Sequence, residues 1–327
     1  MNKQRILSGM RPTGPLHLGH LHGALANWKD MQDKYDCFYF IADWHALTTN
    51  YEDTSNTAAF RTEMMIDWLS VGLDPAKSTF FVQSEVKEHA ELFLILSMIT
   101  PVPWLERNPT YKDQIVQMEN KDLSTFGFLG YPVLQAADII MYKAHGVPVG
   151  IDQVPHVELT REIVRRFNYM YGDVFVEPKA ILTETPKLLG SDNRKMSKSY
   201  QNAINLADPP DVVSQKVSVM ITDPQRMRKK DPGDPDICNV YSFHKIYSPP
   251  EMVEQVNKEC RAAEIGCVQC KKLMAANLTA QLEPIYEKRV HFEKNRDEVE
   301  DIIKTGSDKA REVAKATMEE VRAAVKI

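Results

Sequence analysis

His17 and His20 lie three residues apart in the stretch Gly9-Met10-Arg11-Pro12-Thr13-Gly14-Pro15-Leu16-His17-Leu18-Gly19-His20. On a helix, that spacing sends both imidazoles out from one face of the first turn. There they can donate hydrogen bonds to phosphate oxygens, and Gly19 between them leaves room for an adenine or ribose against bare backbone. Gly9 and Gly14 allow a left-handed backbone and close approach. Pro12 and Pro15 stiffen the turn, so that its amides can face an anion at the positive end of the following helix. Two histidines at a helix start are, by themselves, as often surface residues. A second stretch far downstream, Lys195-Met196-Ser197-Lys198-Ser199, supplies the complement: two ammonium groups and two hydroxyls in a polar loop that could close over a triphosphate.

A third set of groups is spaced for a different task. Tyr131, Gln135 and Asp138 stand at i, i+4 and i+7, which predicts one polar stripe on a helix over about 131 to 143 that is otherwise Val133, Leu134, Ala136, Ala137, Ile139, Ile140 and Met141. A helix this apolar is buried on most sides, and a buried carboxylate without a partner costs several kcal/mol. The stripe is then expected to need a hydrogen-bonding guest; the alternative is that it forms the solvent face. Asp43-Trp44-His45 reads as the end of a strand, with His45 either a satisfied core histidine or a ligand contact. Val147-Pro148-Val149-Gly150-Ile151-Asp152-Gln153 reads as a buried strand and a polar turn. Asp152 there is placed to cap the next helix or to meet a ribose.

These groups need elements that bring them to one edge, and the alternation of apolar runs supplies them. The pattern predicts strand 4–8, helix 17–33, strand 37–43, helix 56–71, strand 79–83 and helix 88–99, the order of a doubly wound parallel sheet whose ligands bind beyond the carboxyl ends of the strands. Residues 101–120 read as a connecting segment with Pro101, Pro103 and Pro109, in which Arg107 and Lys112 are solvated. Beyond the lysine-serine loop only helical periodicity remains, over 209–219, 249–263, 270–292 and 307–325. The expected domains are thus 1–202, an α/β unit with its connecting segment at about 100–145, and 203–327, mostly α-helical. The turn 223–233 carries Arg226, Arg228, Lys229 and Lys230, a solvated loop that could also touch phosphates.

Composition limits the alternatives. The chain has 327 residues, 43% of them hydrophobic, enough for a sizeable core. Its net charge of −5 argues against a globally basic nucleic-acid coat, although a local patch suffices to bind RNA. No apolar run is long enough to span a membrane, and the N-terminus has no signal-like segment, so a soluble cytoplasmic protein is expected. Of five cysteines, Cys37 lies in an apolar strand and reads as core. Cys238, Cys260, Cys267 and Cys270 follow the spacing C-x21-C-x6-C-x2-C, and four thiols so close favour a soft metal, with zinc the generic occupant.

The glycine-rich turn and the lysine-serine loop together resemble the paired ATP signatures of class I aminoacyl-tRNA synthetases. Asp43-Trp44-His45-Ala46-Leu47-Thr48, Tyr131-Pro132-Val133-Leu134-Gln135-Ala136-Ala137-Asp138-Ile139 and Val147-Pro148-Val149-Gly150 narrow this. With them the chain resembles the bacterial tryptophanyl-tRNA synthetases from end to end. Tyrosyl-tRNA synthetases are the alternative in the same fold. They place a tyrosine where this chain has Leu7, which can only pack against a ring. A synthetase-like RNA-binding protein without catalysis is a further alternative, although both ATP signatures are intact.

The resemblance implies a Rossmann-like catalytic domain, a helical domain that reads the anticodon, and a homodimer formed through the connecting segment. It implies ATP with Mg²⁺, L-tryptophan and tRNA(Trp) as ligands, with His17, His20, Lys195 and Lys198 as catalytic groups. ATP would meet Gly9, Arg11, Pro12, Thr13, Gly19, His20, Gly150, Ile151, Asp152, Lys195, Met196, Ser197, Lys198 and Ser199. Ile151 stands where relatives often carry an acid. Tryptophan would meet Leu7, His45, Tyr131, Gln135, Asp138, Val147, Val149 and Gln153, with Asp138 accepting from the indole N–H. A subset of these synthetases carries a similar cysteine quartet around a [4Fe-4S] cluster, which implies that group, in preference to zinc, on Cys238, Cys260, Cys267 and Cys270.

Overall fold

The structure, a computed structural model, describes residues 3–117, 121–183, 188–197 and 200–327. Its centre is one parallel sheet of β1 (Arg5–Met10), β2 (Asp36–Ile41), β3 (Ser78–Val82), β4 (Gly146–Val149) and β5 (Lys179–Leu182), in the order β3-β2-β1-β4-β5. In β2 the run Cys37-Phe38-Tyr39-Phe40-Ile41 is buried throughout, as expected of a strand covered on both faces. Edge strand β5, only four residues long and partly exposed, carries no such pattern and was not anticipated.

The helices follow in chain order. α1 is a continuous helical run of Leu18–His20, a π-helical turn Leu21–Leu25, and Ala26–Met31. Then come α2 (Asp43–Asn50), α3 (Thr57–Ser70), α4 (Glu88–Ile99), α5 (Val102–Glu106), α6 (Pro109–Gln117), α7 (Phe126–Met141) and α8 (Val154–Tyr171). The C-terminal part contains α9 (Pro210–Ser218), α10 (Asn239–Tyr247), α11 (Pro250–Arg261), α12 (Cys267–Lys294) and α13 (Arg296–Val325). Two sequence expectations are corrected here. Asp43-Trp44-His45 does not end β2 but opens α2, where Asp43, in the first turn, accepts from the backbone N–H groups of Trp44 and Ser84 and ties the helix start to the segment after β3. Helix α7 begins at Phe126, ahead of the apolar stripe, where the Thr125 hydroxyl caps the amide of Phe128.

Period-two alternation divides the strand side chains between two cores. On one face Ile6, Tyr39 and Phe80 meet Trp28 of α1 and Trp68 of α3. Trp28 stacks flat on Tyr39 at 4.4 Å and meets Trp68 edge-on at 5.1 Å. On the other face Leu7, Phe38, Phe40 and Phe81 meet Leu92 and Leu96 of α4, Ala136 and Ile140 of α7, and Val157 and Val164 of α8.

The helical region does not stand clear of this sheet. Leu278 and Leu282 of α12, with Val299 and Ile303 of α13, join the first core, and Ala310, Ala314, Met318 and Val321 of α13 join the second. Helix α13 crosses the β3 edge at Gly306 and Ser307. A Cβ at Gly306 would sit 1.7 Å from the carbonyl oxygen of Phe80, so only glycine allows the crossing, and the Ser307 hydroxyl accepts from the edge amide of Val82 at 3.3 Å. The helix thereby covers an edge that would otherwise offer unpaired donors. Arg289 of α12 pairs with Asp67 and Glu63 of α3. Among the described residues, no helix is long and apolar enough to cross a membrane.

Candidate functional site

The chain winds outward from β1 through β2 and β3 on one side and through β4 and β5 on the other, so the loops after β1 and β4 leave in opposite directions. β1 pairs with β2 along its whole length but with β4 through Ile6 and Gly146. Beyond that point lies a cleft of about 450 Å³, at the switch point where such sheets bind ligands. Its lining takes Leu7, Gly9, Arg11 and Thr13 from the end of β1, His20 and Trp28 from α1, and His45 and Thr48 from α2. Tyr131, Gln135 and Asp138 of α7 face them, with Val147, Val149, Gly150 and Gln153 from β4 and its turn. Four separated sequence segments thus meet in one place.

Asp138 is 1% exposed and fully hydrogen-bonded by the protein itself. His45 Nε2 lies 2.7 Å from Oδ2, His89 Nδ1 2.6 Å from Oδ1, and the Gln83 amide donates to both oxygens at 2.8 and 2.9 Å. The expectation that the stripe needs a guest for its carboxylate is corrected: the partners come from α2, α4 and the end of β3. Burial alone would raise the Asp138 pKa, but the hydrogen bonds and charges of His45 and His89 outweigh it and hold the group below its ordinary value. Tyr131 is bonded as well, its hydroxyl lying 3.1 Å from His156 Nε2. His156, in the first turn of α8, is buried, and desolvation pushes its pKa down to about 4.

At the other end of the cleft the glycine-rich turn is rigid for reasons only partly visible in the sequence. Gly14 has φ +122°, as its role in a turn requires. Gly9 is needed for a different reason, since a Cβ there would lie 2.4 Å from the Phe40 ring. His17 is the N-cap of α1. Its Nδ1 accepts from the Gly19 amide at 3.1 Å, while His20 Nδ1 accepts from the His17 amide at 3.1 Å, a reciprocal capping box with the rings 3.9 Å apart. A neutral imidazole that accepts at Nδ1 carries its proton on Nε2, so both rings are set as Nε2 donors. His20 lines the cleft, and His17 lies buried behind it.

The segment that follows the lysine-serine loop is tied to this turn by backbone. Leu18 N donates to Ile204 O at 3.0 Å and Leu206 N to Leu16 O at 2.9 Å. Lys195 is exposed, Met196 is buried in the first core, and the Ser197 amide donates to Asn202 Oδ1 at 2.9 Å. Asn202 in turn donates to Asp192 and to Lys195 O, which pins the loop from within. Lys198 and Ser199 lie outside the described residues. Pro12 and Gly19 are near the cleft in sequence but do not line it. Ile151 is 75% exposed and does not line the cleft. Asp152 does not cap α8, whose N-cap is Gln153 without a side-chain bond; its carboxylate accepts from the Gln153 amide at 2.9 Å.

The cysteines converge without closing a cage. Cys238 precedes α10, Cys260 ends α11, and Cys267 and Cys270 open α12; all are free thiols. Burial, and then the neighbouring Cys238, Cys260 and Cys267, push the Cys270 thiol up to about 12. Arg226 Nη1 reaches Cys260 Sγ at 3.6 Å and Cys267 Sγ at 4.0 Å. Among the described residues, however, no group of three or more His, Cys, Asp or Glu is set to hold a metal ion.

Three of the groups that build the cleft escaped the sequence reading. Gln83 follows β3 on the same rim as Gly9 and could have been found by that rule. His89, among the charged residues Lys87, Glu88 and Glu91 ahead of the apolar run Leu92-Phe93-Leu94-Ile95, and Tyr142, just past α7, gave no local signal.

The family described as tRNA synthetases class I (W and Y) matches residues 1–283. The chain is 54% identical to the tryptophan–tRNA ligase of Thermotoga maritima over 99% of both chains, and 48% identical to that of Aquifex aeolicus over 99% of this chain and 100% of the relative. Among solved structures it is similar to the tryptophanyl-tRNA synthetase of Campylobacter jejuni complexed with ADP and tryptophan. The TM-score is 0.91 at 32% identity, over 99% of this chain and 100% of the other.

Proposed function

The chain belongs to the class I tRNA synthetases of the tryptophan and tyrosine group, among the tryptophan–tRNA ligases, and we propose that the cleft between β1 and β4 is where it activates L-tryptophan with ATP before transfer to tRNA(Trp). The observation that carries this reading is Asp138, a buried carboxylate held ionised on the wall of a cleft that an apolar Leu7 also lines. An indole offers one N–H donor and no acceptor, which suits such a wall. A tyrosine phenol both donates and accepts, and Leu7 offers it no polar partner.

In this reading the indole packs among Leu7, Val147 and Val149, with His45, Tyr131, Gln135 and Gln153 around it. The nucleotide follows the turn Gly9–His20, where Gly9 and Gly19 allow close approach and His20 donates from Nε2 to phosphate oxygens. His17 holds the helix start that aims it. Arg11, Pro12 and Thr13 frame the phosphates, and Gly150, Ile151, Asp152 and Met196 the nucleoside. The tryptophan carboxylate attacks the α-phosphorus and the bond to the bridging oxygen breaks, so that pyrophosphate leaves with its Mg²⁺ and tryptophanyl-adenylate remains. Lys195, Ser197, Lys198 and Ser199 balance the charge that develops on the departing group. A ribose hydroxyl of the tRNA terminus then attacks the acyl carbon, and AMP departs. Positioning and charge neutralisation account for such a reaction without a protein nucleophile.

Residues 1–202 carry this chemistry in the proposal, and 203–327 the anticodon contact. A homodimer through the connecting segment is supported by Leu94, Met98, Val102 and Phe126, large apolar side chains exposed around α4, α5 and α7. The thiol quartet is proposed to hold a [4Fe-4S] cluster, or zinc, that would pin the helical region. The donor chemistry fits a soft metal, whereas the thiols as placed do not form a cage, and no step of the reaction is assigned to it. The test is pyrophosphate exchange across the twenty amino acids, with iron and zinc determined on the same preparation. Exchange driven by tryptophan alone supports the reading; exchange driven by tyrosine, or none, overturns it. A brown protein with broad visible absorption supports iron and sulfur, and a colourless one without metal removes the centre.

A further inference from the structure

Asp138 is the end of a buried chain of polar groups that the aminoacylation reaction does not itself call on. Beyond His89 Nδ1, the other ring nitrogen, Nε2, lies 2.7 Å from the Tyr142 hydroxyl. Tyr142 follows α7 directly, and its carbonyl accepts from Arg5 Nη1 at 3.0 Å, which ties it to β1. Gln83, His89 and Tyr142 are all 0% exposed, so no water competes for these bonds.

The proton positions follow from the partners. An ionised carboxylate only accepts, so His89 Nδ1 must donate to Asp138. With the ring neutral, Nε2 accepts from the Tyr142 hydroxyl; with the ring protonated, Nε2 donates to the hydroxyl oxygen. In either state Tyr142 is the buried partner that holds Nε2 while Nδ1 donates to Asp138. Gln83 clamps both carboxylate oxygens and fixes the rotamer. Of the three side chains that donate to Asp138, His45 is the one on the cleft wall, with its side chain 12% exposed. His45 already holds Oδ2 from that side, so an N–H group arriving in the cleft reaches the carboxylate by sharing Oδ2 with His45 or taking its place, while His89 and Gln83 keep the positions behind.

We propose that His89 and Tyr142, together with Gln83, are positioning residues that hold Asp138 as an oriented acceptor and so set the preference of the site for a ring bearing an N–H over an isosteric ring without one. The proposal rests on the reading of Asp138 as the substrate's acceptor. Its physical content is an anchored ring. Without the Tyr142 hydroxyl, His89 Nε2 loses its buried partner, the ring is held at one nitrogen only, and the Nδ1–H bond that orients Asp138 loosens.

The experiment measures kcat/KM in pyrophosphate exchange for tryptophan and for β-(3-benzothienyl)alanine, in which a ring sulfur replaces the N–H, with the ATP KM and the melting temperature of each protein. Tyr142→Phe, which removes one oxygen from a packed ring, should lower the tryptophan-to-analogue ratio about tenfold with the ATP KM within about twofold. His89→Leu should lower it further. His89→Asn, whose amide can replace the Nδ1 donor, should restore most of it. A ratio unchanged in Tyr142→Phe and His89→Leu, while Asp138→Ala collapses it, overturns the proposal and leaves the reading of Asp138 intact. An unchanged ratio in Asp138→Ala removes that reading itself. Equal losses for both rings accompanied by a raised ATP KM would make Tyr142 and His89 packing residues only.

Discussion

At the α7 end of the cleft, Asp138 is enclosed by side-chain donors from three elements, all buried or nearly so. At the β1 end, Lys195 stands exposed on a loop pinned by Asn202, and the glycine-rich turn that carries Arg11 is fixed by backbone bonds and by the capping box of His17 and His20. The difference matches the two tasks proposed for these ends. Choosing between rings of similar size needs a polar group that is costly to leave unmatched, and that cost is high only where water is excluded. Neutralising a triphosphate needs cations that can follow charge as it moves to the leaving group, which suits exposed side chains on a pinned loop.

Three measurements would break or sharpen that contrast. The largest effect is expected from Asp138→Ala, which should raise the tryptophan KM about a hundredfold or more while the ATP KM stays within about twofold. Losses of equal size for the two substrates would mean that the ring end is scaffold and not recognition.

The second concerns protons at the same end. His156 takes up its proton below 6.5 when unfolded but only below about 4 in the folded protein. As pH falls from about 6.5 to 4 the unfolded state binds that proton first, so stability declines across this window by up to about 3 kcal/mol. His156→Gln should flatten that part of a pH series of denaturant unfolding; an unaltered slope would show that other groups govern acid unfolding.

The smallest effect lies at the nucleotide end. Asn202→Ala removes the internal tie of the lysine-serine loop and should raise the ATP KM about three- to tenfold, with little change for tryptophan, in line with one or two lost hydrogen bonds of about 1 kcal/mol each. A shift in the tryptophan KM instead would mean that the two ends are not separable.

Much of the frame was legible because it rests on local pattern. The apolar runs of β1 to β4 and the helices between them read directly, since β2 and β3 are buried almost throughout and β1 and β4 through Ile6, Leu7, Gly146, Val147 and Pro148. Strand β5 and helix α10 did not, being short and dependent on neighbours for their burial. The cleft was legible in its first half. Leu7, Gly9, Arg11, His20, Tyr131, Gln135, Asp138 and Gly150 do meet there, because strand ends in a doubly wound sheet share a rim. Helix periodicity gave the face of Asp138, but it could not say what would face it across the fold.

The sequence by itself settled most of the elements from β1 to β4, the rim they share and many of the side chains that reach it, because periodicity and turn chemistry act over a few residues. The tertiary structure alone decided that Asp138 has its partners within the protein, that Gly9 is required by the Phe40 ring and not by its torsion angle, and that α13 returns to cover the β3 edge. Each of these is a contact between groups far apart in the chain. Its energy depends on distance and on the exclusion of water, neither of which is written in the order of the residues.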